Sequence, residues 1–545
     1  MKFLSRWAVT GFGLALVTVA GAQTVSYTAN VDVSKDRKPI SPLVYGVNFA
    51  NTQQARDLNL RINRSGGNAT TRYNWQQNAT SSGSDWYFLS HAEPGALPSE
   101  AVDSWVLSNL ASGVQGGTAS MITIPIIGWV AKIHPNRNHM WSFSVIKYGA
   151  QQATEPWNPD AGNGRRPNGT PVTGNDPNDA NIPVAISYQQ NWLMHLVNRF
   201  GRADQGGVKY YVLDNEPALW HETHRDVMPT GVRADDLFVK QRDAAALIKS
   251  VDPTALVCGP EEWGWLGYLY SGYDFQWLAD HGWSGNPPDR QLIGGMDIAP
   301  WLLKKFKEAS AAAGKRLLDV FTLHYYPQGN YGWEDVSNAA VDWRARSTRS
   351  LWDPNYTDES WIGQKIRLLP RMKEWVAAQF PDTKLGVTEY NWGADTHISG
   401  ALAQAEAMAI FGREGVELAN RWVCPPSDSV TFKAIQMFRN VDGANLGFGN
   451  TSVSCAIPNQ DFFSAFASQD GSSGPVKIML LNKSRTQTIN ASVKFLGRST
   501  GKLRIKKAYR LTSTNVIQPV STHSLPRGGF PISLPKQSIT LVILE

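Results

Sequence analysis

Two glutamates stand at the ends of apolar runs. Glu216 closes residues 208–217, Val-Lys-Tyr-Tyr-Val-Leu-Asp-Asn-Glu-Pro, and Glu389 lies within residues 384–393, Lys-Leu-Gly-Val-Thr-Glu-Tyr-Asn-Trp-Gly. Each run reads as a buried β-strand that leads into a turn or an aromatic cluster. In a closed barrel of parallel strands, a carboxyl group at the C-terminal end of a strand faces the mouth. Two carboxyls meeting there can divide the labour of glycosidic bond cleavage, one moving the proton and the other attacking carbon.

The residues around each glutamate sharpen these roles. Asp214 and Asn215 precede Glu216 and Pro217 follows it. Asp or Asn before Pro can simply start a helix, but caps seldom carry Glu between Asn and Pro, so Glu216 reads as the general acid/base. Asn215 is expected to hydrogen-bond a sugar 2-hydroxyl, with Asp214 supporting from behind. Glu389, as nucleophile, must stay ionised and be held by hydrogen bonds. Tyr325 or Tyr326, ending another strand, is placed to supply one. His324 beside them is a sugar ligand, a carboxylate tuner or an ordinary satisfied polar group. Glu261 and Glu262 compete, in residues 259–265, Gly-Pro-Glu-Glu-Trp-Gly-Trp. They read as subsite lining or loop salt bridges, with Trp263 and Trp265 as a stacking platform. A separation of about 6.5–9.5 Å between Glu216 and Glu389 would instead indicate an inverting reaction.

The elements that must position these groups are legible as alternation. Apolar runs at 44–49, 60–64, 121–130, 208–214, 255–259, 317–324, 384–389 and 421–424 read as eight strands. Helical periodicity is clearest at 184–200, 235–251, 299–313, 362–380 and 400–418. This predicts an α/β fold, a (β/α)8 TIM-like barrel over residues 41–452. From residue 453 to 545 only strands follow, at 462–468, 476–481, 489–495, 503–511 and 539–544, which predicts a second, smaller all-β sandwich, antiparallel in its pairing. Residues 23–40 carry a strand at 24–33 that is expected to join it.

Polar and aromatic groups gather where the barrel mouth should be. Asn48 follows the first strand, and Arg64 with Asn68 follows the second. Trp75, Trp86, Trp129, Trp220, Trp333 and Trp392 fall at strand ends or in loops on the same face. As a set they suggest a long cleft with several sugar subsites, since flat rings bury area while keeping a polar edge. Residues 132–183, rich in Asn, Pro and Gly, read as a long loop on this face. Asp176 and Asp179 in it are candidate ligands for a structural calcium; a string of Asx turns is the plain alternative. The proposed chemistry itself needs no cofactor.

Composition narrows the class. Only 18% of the 545 residues are charged, against 42% apolar, which excludes a disordered chain. Residues 1–22 have a basic start, an apolar run over 7–20 and Ala20-Gly21-Ala22, the pattern of a removed signal peptide. A membrane anchor is the rival, but the run is short and no charged stop follows. Secretion is therefore expected, to the medium or the periplasm, with no membrane attachment afterwards. Net charge is +6, or +4 without Lys2 and Arg6. The only basic cluster, at 502–507, alternates with apolar residues like one face of a strand, so no nucleic acid partner is expected. Three cysteines match no zinc pattern. Nothing calls for a second copy, and a monomer is expected.

Residues 44–49 (Val-Tyr-Gly-Val-Asn-Phe), 63–68 (Asn-Arg-Ser-Gly-Gly-Asn), 71–75 (Thr-Arg-Tyr-Asn-Trp), 213–217 (Leu-Asp-Asn-Glu-Pro) and 388–392 (Thr-Glu-Tyr-Asn-Trp) together resemble glycoside hydrolase family 44. The resemblance covers essentially the whole mature chain. It implies a retaining endo-β-1,4-glucanase, often active on xyloglucan, with Glu216 as acid/base and Glu389 as nucleophile, and members have been seen with bound calcium. The polysaccharide is the implied partner. The alternatives are another retaining barrel glycosidase (an arabinofuranosidase or exo-β-glycosidase), a non-catalytic carbohydrate-binding protein, and a metal-dependent hydrolase. The last would need ligands at several strand ends, where only His324 stands out.

Overall fold

The computed structural model describes residues 24–458, 461–496, 503–521 and 528–545. The predicted leader, residues 1–22, lies outside them. Eight parallel strands close a barrel: β1 Gly46–Asn48, β2 Ile62–Ser65, β3 Ala119–Ile124, β4 Tyr210–Leu213, β5 Leu256–Glu262, β6 Val320–Tyr325, β7 Lys384–Tyr390 and β8 Leu418–Arg421. Neighbours in sequence are neighbours in space, and β8 meets β1 through Asn420 opposite Gly46. Each strand is covered on both sides, so β6 is buried along its whole length and is mostly apolar, with Thr322 and His324 its polar residues. Inward-facing Ile62, Met121, Tyr210, Val212, Cys258, Val320 and Leu418 form one cluster that fills the barrel. The alternate residues, among them Ile122, Tyr211, Leu213, Val257, Phe321 and Val387, belong to the larger core shared with the helices. The interior is therefore a packed floor beneath the strand ends.

Helices Ile186–Phe200, Ala234–Val251, Ile298–Ala313, Leu368–Gln379 and Ile398–Glu414 occupy the periodic stretches. Four expectations shift. The eighth strand ends at Arg421 rather than running 421–424, and the helix expected from 362 starts at Leu368. The run at 121–130 breaks after Ile124; Trp129–Ala131 instead pairs with Asn181–Pro183. Residues 132–183 are not a bare loop either. They hold the short strands Met140–Trp141, Thr154–Glu155 and Asn158–Gly162, and the first of these joins a small sheet with Ala79–Ser81 and Leu89–Ala92.

The remaining strands form the second domain. Thr24–Asp32 lies between Thr451–Ala456 and Thr488–Phe495, so both ends of the chain share one sheet. Its pairing with Thr488–Phe495 is parallel, which corrects the purely antiparallel expectation. Thr451–Ala456 and Gly529–Leu534 were not anticipated. Small polar residues blur the alternation in the first, and Pro531 interrupts the second, which pairs with only one neighbour and tolerates it as an edge strand. This domain covers helix Ile398–Glu414, which explains why that helix is buried on nearly every side. Lys483 reaches across the junction, its ammonium 2.9 Å from both oxygens of Glu406 and 2.9 Å from the Ala345 carbonyl. The exposed lysines 506 and 507 of the basic strand pair with Glu545 and Asp442. All three cysteines are free thiols. Among the described residues, no helix is long and apolar enough to cross a membrane.

Candidate active site

Four strand ends bring charged side chains to one point above the packed floor. Arg64 comes from β2, Glu261 from β5, His324 from β6 and Glu389 from β7, and all four are almost wholly buried. Glu216 joins them from the turn after β4. Its backbone has φ +44°, and those of Asp214 and Glu261 have +68° and +64°, left-handed conformations that side chains other than glycine seldom adopt. Such strain collects at functional sites where the surroundings over-determine it. Here the Glu216 amide donates to the Glu261 carbonyl at 3.0 Å. Asp214 accepts from the amides of Ile126 and Ile127, from Asn215 and from the Thr71 hydroxyl. Burial raises its carboxyl to about 6 despite those bonds. Glu216 does sit at the N-cap position of a short 3₁₀ turn, but its side chain makes no capping bond. It turns instead to His324.

One carboxyl oxygen each of Glu216 and Glu389 and one imidazole nitrogen of His324 lie within 4.8 Å of one another. His324 Nδ1 is 2.8 Å from Glu216 Oε1 and 3.6 Å from Glu389 Oε2, and Nε2 is 3.0 Å from Glu261 Oε2. Arg64 donates one nitrogen to Glu389 Oε1 at 2.7 Å and the other to Glu261 Oε2 at 3.1 Å and Asn215 Oδ1 at 3.2 Å. Tyr326 donates its phenol to Glu389 Oε2 at 2.8 Å. Burial pushes the Glu216 carboxyl above the ordinary range; the His324 bond opposes this and the Glu389 charge adds to it. Burial alone would strip the proton from His324, yet the surrounding carboxylates outweigh it and raise the imidazole to about 10. Burial also works against the Glu261 charge, but Arg64 and His324 bring that carboxyl below its usual value.

The cleft over this cluster has a volume of about 390 Å³ and is lined by Gly67, Asn68, Asp85, Asn215, Trp263, Tyr326, Gln328 and Trp422 around the two glutamates, with Leu219. Gly67 is required: its φ is +85°, and a Cβ there would stand 2.2 Å from the Trp422 ring. Trp333, 48% exposed, packs on Tyr326 at 6.1 Å between ring centres and extends the aromatic wall.

Several predicted sugar contacts lie elsewhere. Trp220 is buried and donates to the Asn215 carbonyl. Trp392 is buried and donates to Ser347. Tyr325 is buried against Trp392 in the core shared with the helices and does not line the cleft. Trp265 is buried in the helix layer under Arg371. Trp75 packs on Tyr188 and His195, and Trp129 lines a separate hollow with Val184 and Lys240. Outward-facing strand-end residues and loop anchors share the same sequence neighbourhood as cleft residues, which is why they looked alike. Asn48 is fully buried behind Arg64, accepting from it at 3.1 Å. Asp176 and Asp179 turn to different partners: Asp176 accepts from the Asn178 amide, while Asp179 pairs with Lys147 and Tyr148. Trp422 was missed because the eighth strand was placed three residues late, which put it inside the strand instead of after its end.

A family model described as Glycoside hydrolase family 44 matches residues 79–329. Endoglucanase A of Paenibacillus lautus is 30% identical over 548 residues, spanning 96% of this chain and 73% of the relative. CelM2, a bifunctional glucanase-xylanase protein from a metagenome library, matches with a TM-score of 0.92 at 47% identity, over 95% of this chain and 99% of that one. A Paenibacillus polymyxa xyloglucanase solved with xyloglucan matches with a TM-score of 0.77 at 29% identity, over 96% and 99%. The chain belongs to glycoside hydrolase family 44.

Proposed function

We propose that this glycoside hydrolase is a secreted, retaining endo-β-1,4-glucanase that acts on xyloglucan and soluble cellulose. The observation that carries the mechanism is the approach of one Glu216 oxygen and one Glu389 oxygen to within 4.8 Å, which supports the shorter of two separations. Retaining enzymes hold their two carboxyls about 5–5.5 Å apart, and inverting enzymes need about 6.5–9.5 Å to admit a water. Charge balance supports the division of roles. Arg64 and a protonated His324 give two positive charges to three carboxyls, so one carboxyl is left neutral. Glu216, raised by burial, keeps that proton.

In the first step Glu216 protonates the leaving glycosidic oxygen while a Glu389 oxygen bonds to the anomeric carbon, forming a glycosyl ester. In the second, Glu216 takes a proton from water, which attacks the same carbon and releases Glu389. Arg64 and Tyr326 grip opposite oxygens of Glu389 and orient it. Positive charge is already supplied by protein groups, so the steps use no metal. Asp176 and Asp179 do not fit a calcium: both Asp179 oxygens are taken by Lys147 and Tyr148, and Asp176 bonds Asn178. The names of the relatives support a polysaccharide substrate, and residues 1–22 support export, to be checked by N-terminal sequencing for a start at Gln23.

The test is reducing-end release and viscosity on tamarind xyloglucan, carboxymethylcellulose, glucomannan and arabinoxylan. A fast viscosity fall on the first two is expected. Activity confined to arabinoxylan or small aryl glycosides would overturn the glucanase reading.

A further inference from the structure

Glu261 is a carboxylate for which the double displacement has no step. It is fully buried, lies at the end of β5 in a left-handed conformation and does not line the cleft. One of its oxygens, Oε2, accepts from both Arg64 at 3.1 Å and His324 at 3.0 Å. Those two partners then diverge, His324 to Glu216 at 2.8 Å and Arg64 to Glu389 at 2.7 Å. The contacts form one chain, Glu216–His324–Glu261–Arg64–Glu389, with the reacting groups at its ends.

We propose that Glu261 is a positioning residue that couples the two catalytic carboxyls, orienting Glu216 through His324 and Glu389 through Arg64. This rests on the double-displacement reading of Glu216 and Glu389. Its chemistry follows from the contacts. An imidazole donates from both nitrogens only as a cation, and the Glu261 carboxylate beside Nε2 favours that form. It then donates to Glu216 Oε1, which directs the Glu216 proton to Oε2 and so to the leaving oxygen. A neutral His324 would offer Glu216 an acceptor instead, and the proton would turn inward. The other ionisable groups facing this unit are Tyr326 from beyond β6, Cys258 and Glu262 on β5, and Tyr268, whose hydroxyl bonds the His324 carbonyl. None of these supplies a permanent negative charge in the place of Glu261: burial raises Tyr268, Tyr326, Cys258 and Glu262, favouring their neutral forms.

Glu261→Gln keeps the shape and removes the charge. The site then carries one excess positive charge and gives up a proton more readily. The alkaline limb of the kcat/KM profile on carboxymethylcellulose should move down by about 1–3 pH units, the usual effect of one close charge. Glu261→Asp should return the limb toward its original place even if the rate stays low. A folded Glu261→Gln enzyme whose limb stays put would overturn the proposal, because a purely structural role lowers the rate at every pH alike. If the variant does not fold, the wild type decides. Histidine-selective 15N NMR at pH 7, with His324 assigned by its loss in His324→Asn, should show a doubly protonated ring. A neutral ring would overturn the coupling while leaving the roles of Glu216 and Glu389 untouched. Covalent labelling of a residue other than Glu389 would instead sink the underlying reading.

Discussion

Replacing Glu216 by Gln removes a proton and almost nothing else. The amide oxygen can still accept from His324, and the turn held by the Glu261 carbonyl is backbone geometry. The cleft offers no substitute acid. Of its other two carboxyls, Glu389 is gripped by Arg64 and Tyr326, and Asp85 is exposed and bonded by Asn68. Full loss of general acid catalysis is therefore expected for a sugar leaving group, about 10²–10⁴-fold, or about 2.7–5.4 kcal/mol. A dinitrophenolate leaves without protonation, so kcat/KM on 2,4-dinitrophenyl cellobioside should fall less than about tenfold by the same logic. Its kcat should fall further, because hydrolysis of the ester still needs the base. Added azide needs no deprotonation, and should restore turnover and yield a β-glycosyl azide. Steady-state kinetics on this substrate and on carboxymethylcellulose make the comparison. Equal losses of kcat/KM on both would refute the assignment, since the defect would then be independent of the leaving group.

Tyr326→Phe keeps the ring against Trp333 but deletes one of two direct donors to Glu389. A hydrogen bond to a charged group is worth about 1.5–3 kcal/mol, so kcat/KM should drop about 10- to 150-fold with thermal stability little changed. The pH profile should follow Glu216. Its carboxyl is raised above the ordinary value and must be protonated for the first step, so activity persists above the usual carboxylate range and is lost as pH rises through the raised value. A kcat/KM profile already falling at pH 4.5 would contradict this. Lys483→Ala strands the buried Glu406 carboxylate at the domain junction, and denaturant unfolding should show a loss of about 3–5 kcal/mol. Adding Glu406→Leu to it should recover much of that loss.

The sequence carried the barrel because parallel strands are buried on both faces and read as mostly apolar runs, as with Val320, Phe321 and Leu323 in β6 and Leu385 and Val387 in β7. It carried the two glutamates for the same reason: each interrupts or ends such a run. What it did not carry was orientation. Tyr325 follows His324 in β6, but successive residues of a strand face opposite sides; Trp392 lies beyond the end of β7, and the two pack on each other away from the cleft. Trp422 lay within reach of the same reasoning and was lost to a three-residue slip in β8. Glu261 was visible as a carboxyl after β5, but its bonds to Arg64 and His324 depend on three separate strands closing around one point.

The proposed double displacement requires Glu389 to form a covalent bond to the sugar while Glu216 moves the proton. Incubation with a 2-deoxy-2-fluoro-β-cellobioside bearing an activated leaving group, followed by peptide mass spectrometry, tests it most directly. One glycosyl adduct is expected, carried by Glu389 and released slowly when a transglycosylation acceptor is added. An adduct on any other residue, or no adduct together with α-configured first product by NMR, would contradict it.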